Sequence, residues 1–410
     1  MSSSATPKTT ALVLSGGGAR GAYEAGIVRY LREELPHTLG HQPKIDILCG
    51  TSVGAVTACF LAATMDHPET QGRELAAFWT SMSLEKVYNV QGQDLWSLTR
   101  KMWRAATNEP RRPEGWRIND ILHPEFLEEM VRQGAPWERI QQNLNDGHLS
   151  AVSVSTTNIR SGRTEVFVQT SNGQVPAWSR DPTTLARPAI MGPEHALASA
   201  AIPLLFRSVK IGEEYYCDGG LRQNTPLSPA LRLGAERVLI ISLKHQQTFV
   251  EAPLPPLTEY PSTPMLMGKV LNALLLDRTD YDLDRLHRFN GLLDAGTEIY
   301  GKDFIAKMSE AIRTQRGQAY RMVEDMVLRP SRDIAVIASK HAKKNRVSPL
   351  PSISLPIKLL HRIAQSQLVT EADLASYLLF DGEYAQDLIT LGMEDAHTQR
   401  EALASFFSAA

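Results

Sequence analysis

The stretch DILCGTSVGAVTACFLAAT, residues 46–64, decides how the rest of the chain is read. An apolar run of strand character enters Gly50-Thr51-Ser52-Val53-Gly54 and leaves directly as a long apolar helix. This is a G-x-S-x-G pattern on a strand–turn–helix. Small neighbours suit a turn in which the strand and helix backbones pass close together, and such a turn lifts a serine hydroxyl off the sheet. The alternative is a glycine-rich turn in which Ser52 serves only as the helix N-cap.

Working outward, the same alternation recurs. Residues 10–15 (TALVLS) predict a short buried strand, Gly16–Gly18 a loop, and residues 19–35 a helix that Pro36 ends. Strand, helix, strand, helix predicts an α/β fold with a mainly parallel sheet and helices on its faces. Further strands are expected at 149–155, 163–169, 213–217 and 237–243, with a short helix at 195–201. Five prolines fall within 250–264 and are expected to close a first, core domain over 8–250. A mostly helical C-terminal region over 251–410 follows, expected to pack on the core. RDIAVIAS, 332–339, is expected to return one more strand to the sheet, and KHAKKNR, 340–346, to form a solvated loop.

Bulk composition narrows the function. Of 410 residues, 43% are hydrophobic and 21% charged, and net charge is −2, a balance that argues against a nucleic-acid binder. The three cysteines, Cys49, Cys59 and Cys217, lack the paired spacing of a disulfide framework or a zinc site. The polar start MSSSATPKTT has no signal-peptide character, and no apolar run is long enough to span a membrane. The expected setting is cytoplasmic, with any membrane contact peripheral. DLWSLTRKMWRAAT, 94–107, offers an amphipathic face with basic neighbours for such contact, although a helix packed on the protein's own core is the preferred reading. PMLMGKVLNALLL, 264–276, reads as core or as part of an acyl channel.

Two more motifs follow strands. Gly16-Gly17-Gly18-Ala19-Arg20-Gly21 sets consecutive backbone N–H groups in a loop ahead of a helix, donors suited to a developing oxyanion or a phosphate. It also fits the dinucleotide pattern G-x-G-x-x-G. That pattern wants an acid near the end of the second strand, where this chain has Cys49-Gly50-Thr51-Ser52, so the spacing favours the oxyanion role. Asp218-Gly219-Gly220 directly follows the strand EEYYC. Alone it reads as an Asx turn. If the strands are parallel, their C-terminal ends bring all three motifs to one edge of the sheet. A serine nucleophile, a carboxylate base and a row of backbone donors are the parts of a serine acyl hydrolase.

In this order the three motifs resemble those of the patatin-like phospholipase family. GGGARG matches its glycine-rich oxyanion motif, GTSVG its nucleophile elbow and DGG its aspartate motif. HALASAAIPLLF, 195–206, resembles its small-residue helix ended by Ile-Pro, and the similarity covers about residues 8–245. The resemblance implies a three-layer α/β/α fold and a Ser52–Asp218 dyad working without histidine, metal or cofactor. It also implies a phospholipid or other acyl-lipid substrate. Two rivals remain open at this stage. One is a Ser-His-Asp esterase using His245 or His287. The other is a lipid-binding scaffold on the same fold. Arg20 is expected either to meet a substrate phosphate or to lie on the surface.

Overall fold

The computed structural model describes residues 8–87, 125–176, 178, 183–203, 206–245, 266, 268–270, 272–273, 279–316, 319–344 and 369–408. The segment 94–107 and the proline-rich boundary near residue 250 lie outside them, as does most of 264–276.

Among the described residues nine strands form one mixed, mostly parallel sheet. They are β1 (Thr10–Leu14), β2 (Ile47–Thr51), β3 (Ala151–Asn158), β4 (Thr164–Thr170), β5 (Thr184–Pro188), β6 (Val209–Ile211), β7 (Glu214–Asp218), β8 (Arg237–Ile241) and β9 (Glu324–Leu328). The order is β5-β4-β3-β2-β1-β8-β9, with β7 bridging β3 and β6. The central strands β3, β2, β1, β8 and β9 run parallel. Strands β1, β2 and β8 are buried along their whole length, which is why they read as continuous apolar runs and not as an alternation. Their side chains still alternate. Leu12 and Leu14 join one core, while Ala11 and Val13 join a second core across the sheet. Each fully buried Leu or Val contributes about 1.5–3 kcal/mol.

The helices that position the site are α1 (Ala22–Arg29), α2 (Leu35–Leu39), α3 (Val53–Ala63), α4 (Pro68–Thr80), α5 (Glu125–Gln133), α6 (Pro193–Ser199), α7 (Leu227–Arg232), α8 (Thr279–Tyr300), α9 (Ile334–Lys344), α10 (Val369–Leu378) and α11 (Gly382–Thr398). Helices α1, α3 and α4 pack on the larger core; α7 and α8 cover the other face. Apart from β9, the elements among the described residues of the C-terminal region are helices, and α11 lies along α1.

Four expectations are corrected. Pro36 does not end the first helix. A π turn over Tyr30–Glu34 absorbs the missing proline N–H, and the helix resumes as α2 until Gly40 caps it at φ 79°. The stretch 332–339 is not a strand, since most of it belongs to α9. Asp333 accepts the N–H of Ala335 at 2.8 Å, and Ile334, Ile337 and Ala338 bury at helical spacing. The strand that returns to the sheet is β9, parallel to β8 and just upstream. The charged residues 340–344 continue α9 and are not a loop. Finally, β7 runs antiparallel to β3. Asp218 therefore reaches the site from the direction opposite to the strands that carry the other two motifs.

Candidate active site

Ser52 sits where β2 turns into α3, at φ 55° and ψ −127°, the one non-glycine residue with positive φ among the described residues. Such a conformation costs on the order of 1–3 kcal/mol and persists only where its surroundings enforce it. They do so through close packing. A Cβ on Gly54 would lie 2.4 Å from the carbonyl oxygen of Leu14, and one on Gly50 would lie 2.2 Å from that of Gly54. The Ser52 N–H donates to Ser199 Oγ at 2.8 Å, and Ser199 Oγ donates to the Ser155 carbonyl at 2.6 Å. Although Ser52 occupies the N-cap position of α3, its side chain makes no capping hydrogen bond.

That hydroxyl instead donates to Asp218 Oδ2 at 2.6 Å. The other carboxylate oxygen accepts the Gly220 N–H at 2.6 Å, so the Asp-Gly-Gly turn holds the carboxylate in place. The Asp218 backbone is fixed by its N–H, which donates to the Ala201 carbonyl at 2.9 Å, and by Thr157 Oγ1, which donates to the Asp218 carbonyl at 2.9 Å. Asp218 is wholly buried. Burial pushes its pKa from 3.8 up to about 7, against the opposing pull of the Ser52 and Gly220 hydrogen bonds. A carboxylate with a pKa near 7 suits a general base at neutral pH.

The glycine loop lies alongside. Gly16 spends its N–H on the Asn224 carbonyl at 3.2 Å, and Arg20 spends its own on Gly17 O at 3.2 Å. The N–H groups of Gly17, Gly18 and Val53 stand outside these bonds. Gly18 has φ 57°, and a Cβ there would lie 2.5 Å from the Tyr377 carbonyl, so no other residue fits unstrained. Ala19 and Gly21 complete the 3₁₀ turn that leads into α1. Thr51 anchors the elbow from behind, its hydroxyl donating to the Gln223 carbonyl at 3.0 Å. Gly219 and Gly220 form the 3₁₀ turn after Asp218.

A family model described as patatin-like phospholipase matches residues 12–231. The chain belongs to the patatin-like phospholipase family. A curated relative from Pseudomonas aeruginosa, named cGAMP-activated phospholipase, is 27% identical over 220 residues, covering 54% of this chain and 55% of that protein. The chain thus matches about half the length of that relative. Among solved structures, human GIVD cytosolic phospholipase A2 overlaps 98% of this chain and 59% of its own, at 13% identity and TM-score 0.41. VipD from Legionella pneumophila overlaps 94% and 67%, at 14% identity and TM-score 0.32. The family assignment rests on the sequence model.

In this patatin-like chain a cavity of about 100 Å³ opens beside Ser52 and Gly18. Its wall is mostly apolar, with Val56, Leu75, Trp79, Met82, Ile202 and Phe380 among its residues. Trp79 and Phe380 stack with ring centroids 6.4 Å apart. Ser52 is only 1% exposed and lines this cavity.

Arg20 does not face solvent. It is buried, and its Nε donates to Ser376 Oγ at 2.7 Å. One Nη lies 3.6 Å from the Asp373 carboxylate, and the guanidinium stacks 4.0 Å above the Tyr377 ring. Arg20 therefore ties the glycine loop to α10. No local pattern signals this link or the role of Ser199, since each depends on a partner more than 140 residues away. His245 meets the Pro330 carbonyl at 3.0 Å, and His287 the Asp325 carboxylate at 2.9 Å. Neither is bonded to Ser52 or Asp218. His195 accepts the Gly192 N–H at 3.1 Å and packs edge-on against Phe167. The three cysteines are buried and free. Among the described residues no helix is long and apolar enough to cross a membrane, and no cluster of metal-binding side chains forms.

Proposed function

We propose that this protein is a lipid acyl hydrolase that cleaves carboxylic esters of phospholipids or related acyl lipids. The observation that carries this reading is the 2.6 Å hydrogen bond to a buried Asp218 from Ser52, which lines an apolar cavity. Ser52 Oγ attacks the ester carbonyl carbon and its proton passes to Asp218. The N–H groups of Gly17, Gly18 and Val53 receive the oxyanion, and losing one such donor typically costs about 2.7–4 kcal/mol of barrier. Collapse breaks the ester C–O bond, and the protonated Asp218 returns its proton to the departing alkoxide. Water then attacks the acyl-enzyme and gives a proton to Asp218. Collapse releases the fatty acid and restores the Ser52 hydroxyl. The narrow cavity accommodates the acyl chain, which favours a lipid over a bulky polar ester. The contact that such an enzyme makes with its substrate's membrane is peripheral on this reading.

Hydrolysis of a lipid panel by wild type, Ser52→Ala and Asp218→Asn tests the reading, with folding checked for each by circular dichroism. Both variants are expected to fold and to lose nearly all turnover. Retained turnover in folded Ser52→Ala would refute it.

The name of the Pseudomonas aeruginosa relative supports a second element. On this reading the hydrolase is switched on by a cyclic dinucleotide. Lipid hydrolysis measured with and without cyclic GMP–AMP tests this directly.

A further inference from the structure

On the face of the sheet opposite the acyl cavity, α7, α8 and the segment leading into β9 enclose a second cavity of about 600 Å³. Its size is that of a small-molecule site, but its chemistry differs from that of the first. Four arginines line it, Arg232, Arg285, Arg288 and Arg321, against one acid among the described lining residues, Asp282. Flat rings stand between them. The Arg232 guanidinium lies 5.2 Å from the Trp178 ring centre, and Phe289 and Tyr320 pair at 4.8 Å across the wall. The Trp178 indole N–H is buried and has no hydrogen-bond partner among the described residues.

From this wall we infer that the cavity is a regulatory site for a nucleotide carrying a phosphodiester. Guanidinium groups match phosphate oxygens in a fork geometry, and the same groups and the aromatic rings stack on a purine. The inference rests on the proposed nucleotide control and gives it a location. The wall also connects to the dyad. Gln223 lines the cavity, and its carbonyl accepts the Thr51 hydroxyl one residue before Ser52. The next residue, Asn224, accepts the Gly16 N–H and donates from Nδ2 to the Gly16 carbonyl at 3.1 Å. Thr225 in turn bonds Ser15 at 2.9 Å and Thr279, at the start of α8, at 2.6 Å. A ligand that draws α7 and α8 together therefore acts on the short segment that holds both the elbow and the glycine loop.

Isothermal titration calorimetry on full-length Ser52→Ala protein tests the site without relying on hydrolysis. Cyclic GMP–AMP, a mixture of AMP and GMP, inorganic phosphate and phosphatidylglycerol vesicles serve as probes. Saturable binding of cyclic GMP–AMP is expected, at least tenfold tighter than that of the mononucleotides. Arg285→Glu and Arg288→Glu lie on the exposed side of α8 and are expected to fold; together they should weaken binding by at least tenfold, as should Trp178→Ala. No binding of cyclic GMP–AMP, binding that survives the double reversal, or binding of phosphate or vesicles alone would overturn the inference. Wild-type protein that binds cyclic GMP–AMP but hydrolyses no lipid would count against the proposed chemistry and leave the site standing.

Discussion

Thr51 and Asp218 meet end to end along a single strand. Thr51 pairs with Ser155 and Asp218 with Thr156, consecutive residues of β3. One edge of β3 is thus shared between β2, arriving parallel, and β7, arriving antiparallel. Ser52 is the residue after Thr51, so this change of neighbour sets the serine hydroxyl against the carboxylate. The Ser52–Asp218 contact is a consequence of sheet register more than of any loop.

If Asp218 is the base, activity follows its ionisation. Its pKa of about 7 predicts that kcat/KM rises with pH through about 7 and levels above it, because the base must be deprotonated. A pH–rate profile on a soluble ester substrate checks this. A profile flat from pH 5 to 9 would exclude Asp218 as the titrating base.

The same burial makes the dyad costly. In the folded state the Asp218 carboxyl holds its proton up to about pH 7, whereas in the unfolded chain it releases it near 3.8. The folded state thus binds more protons between these values, and stability falls as pH rises through that window. The loss is on the order of 4 kcal/mol. Asp218→Asn, which cannot ionise, is expected to be more stable than wild type at pH 8 and nearly equal at pH 4. Denaturant unfolding at the two pH values measures the difference.

Ser199 is expected to matter through position. Ser199→Ala leaves the Ser52 N–H and the Ser155 carbonyl unmatched in the interior, at about 1–3 kcal/mol. A lower kcat with KM little changed is expected, and Ser199→Thr, which keeps the hydroxyl, should restore part of it. Equal loss in both variants would point to simple packing.

Arg20 supports the glycine loop from behind. Arg20→Met removes its bond to Ser376 and its approach to Asp373 while keeping most of its bulk. Breaking a buried pair typically costs about 3–5 kcal/mol. Lys269, 3.1 Å from Asp373, compensates in part. A fall in both melting temperature and kcat is expected. Hydrogen exchange should show α10 opening first, before the central strands.

Replacing His245 and His287 by alanine is expected to leave kcat within about twofold of wild type, since neither ring is bonded to the dyad. A collapse of kcat in folded protein would favour a triad.

Sequence reading recovered the sheet strands that carry the motifs because their apolar runs are short and bounded by glycine. It also placed Ser52, Asp218 and the glycine loop as candidates, because each has a distinctive local pattern. It failed where tertiary contacts decide. Ile334–Lys344 is rich in β-branched residues at its start, yet the Asp333 cap and burial of Ile334 and Ile337 make it a helix. The antiparallel entry of β7 was hidden because hairpin pairing with β6, only three residues long, leaves almost no period to read. Arg20 looked like a surface or substrate residue because its partners in α10 lie some 350 positions away.

The account stands on Ser52 being a nucleophile activated by Asp218. Incubating the folded protein with a fluorophosphonate and mapping the adduct by mass spectrometry tests this most directly. A single adduct on Ser52 is predicted, forming at least a hundredfold more slowly in folded Asp218→Asn. An unlabelled Ser52 in well-folded wild-type protein, or labelling whose rate ignores Asp218, would contradict it.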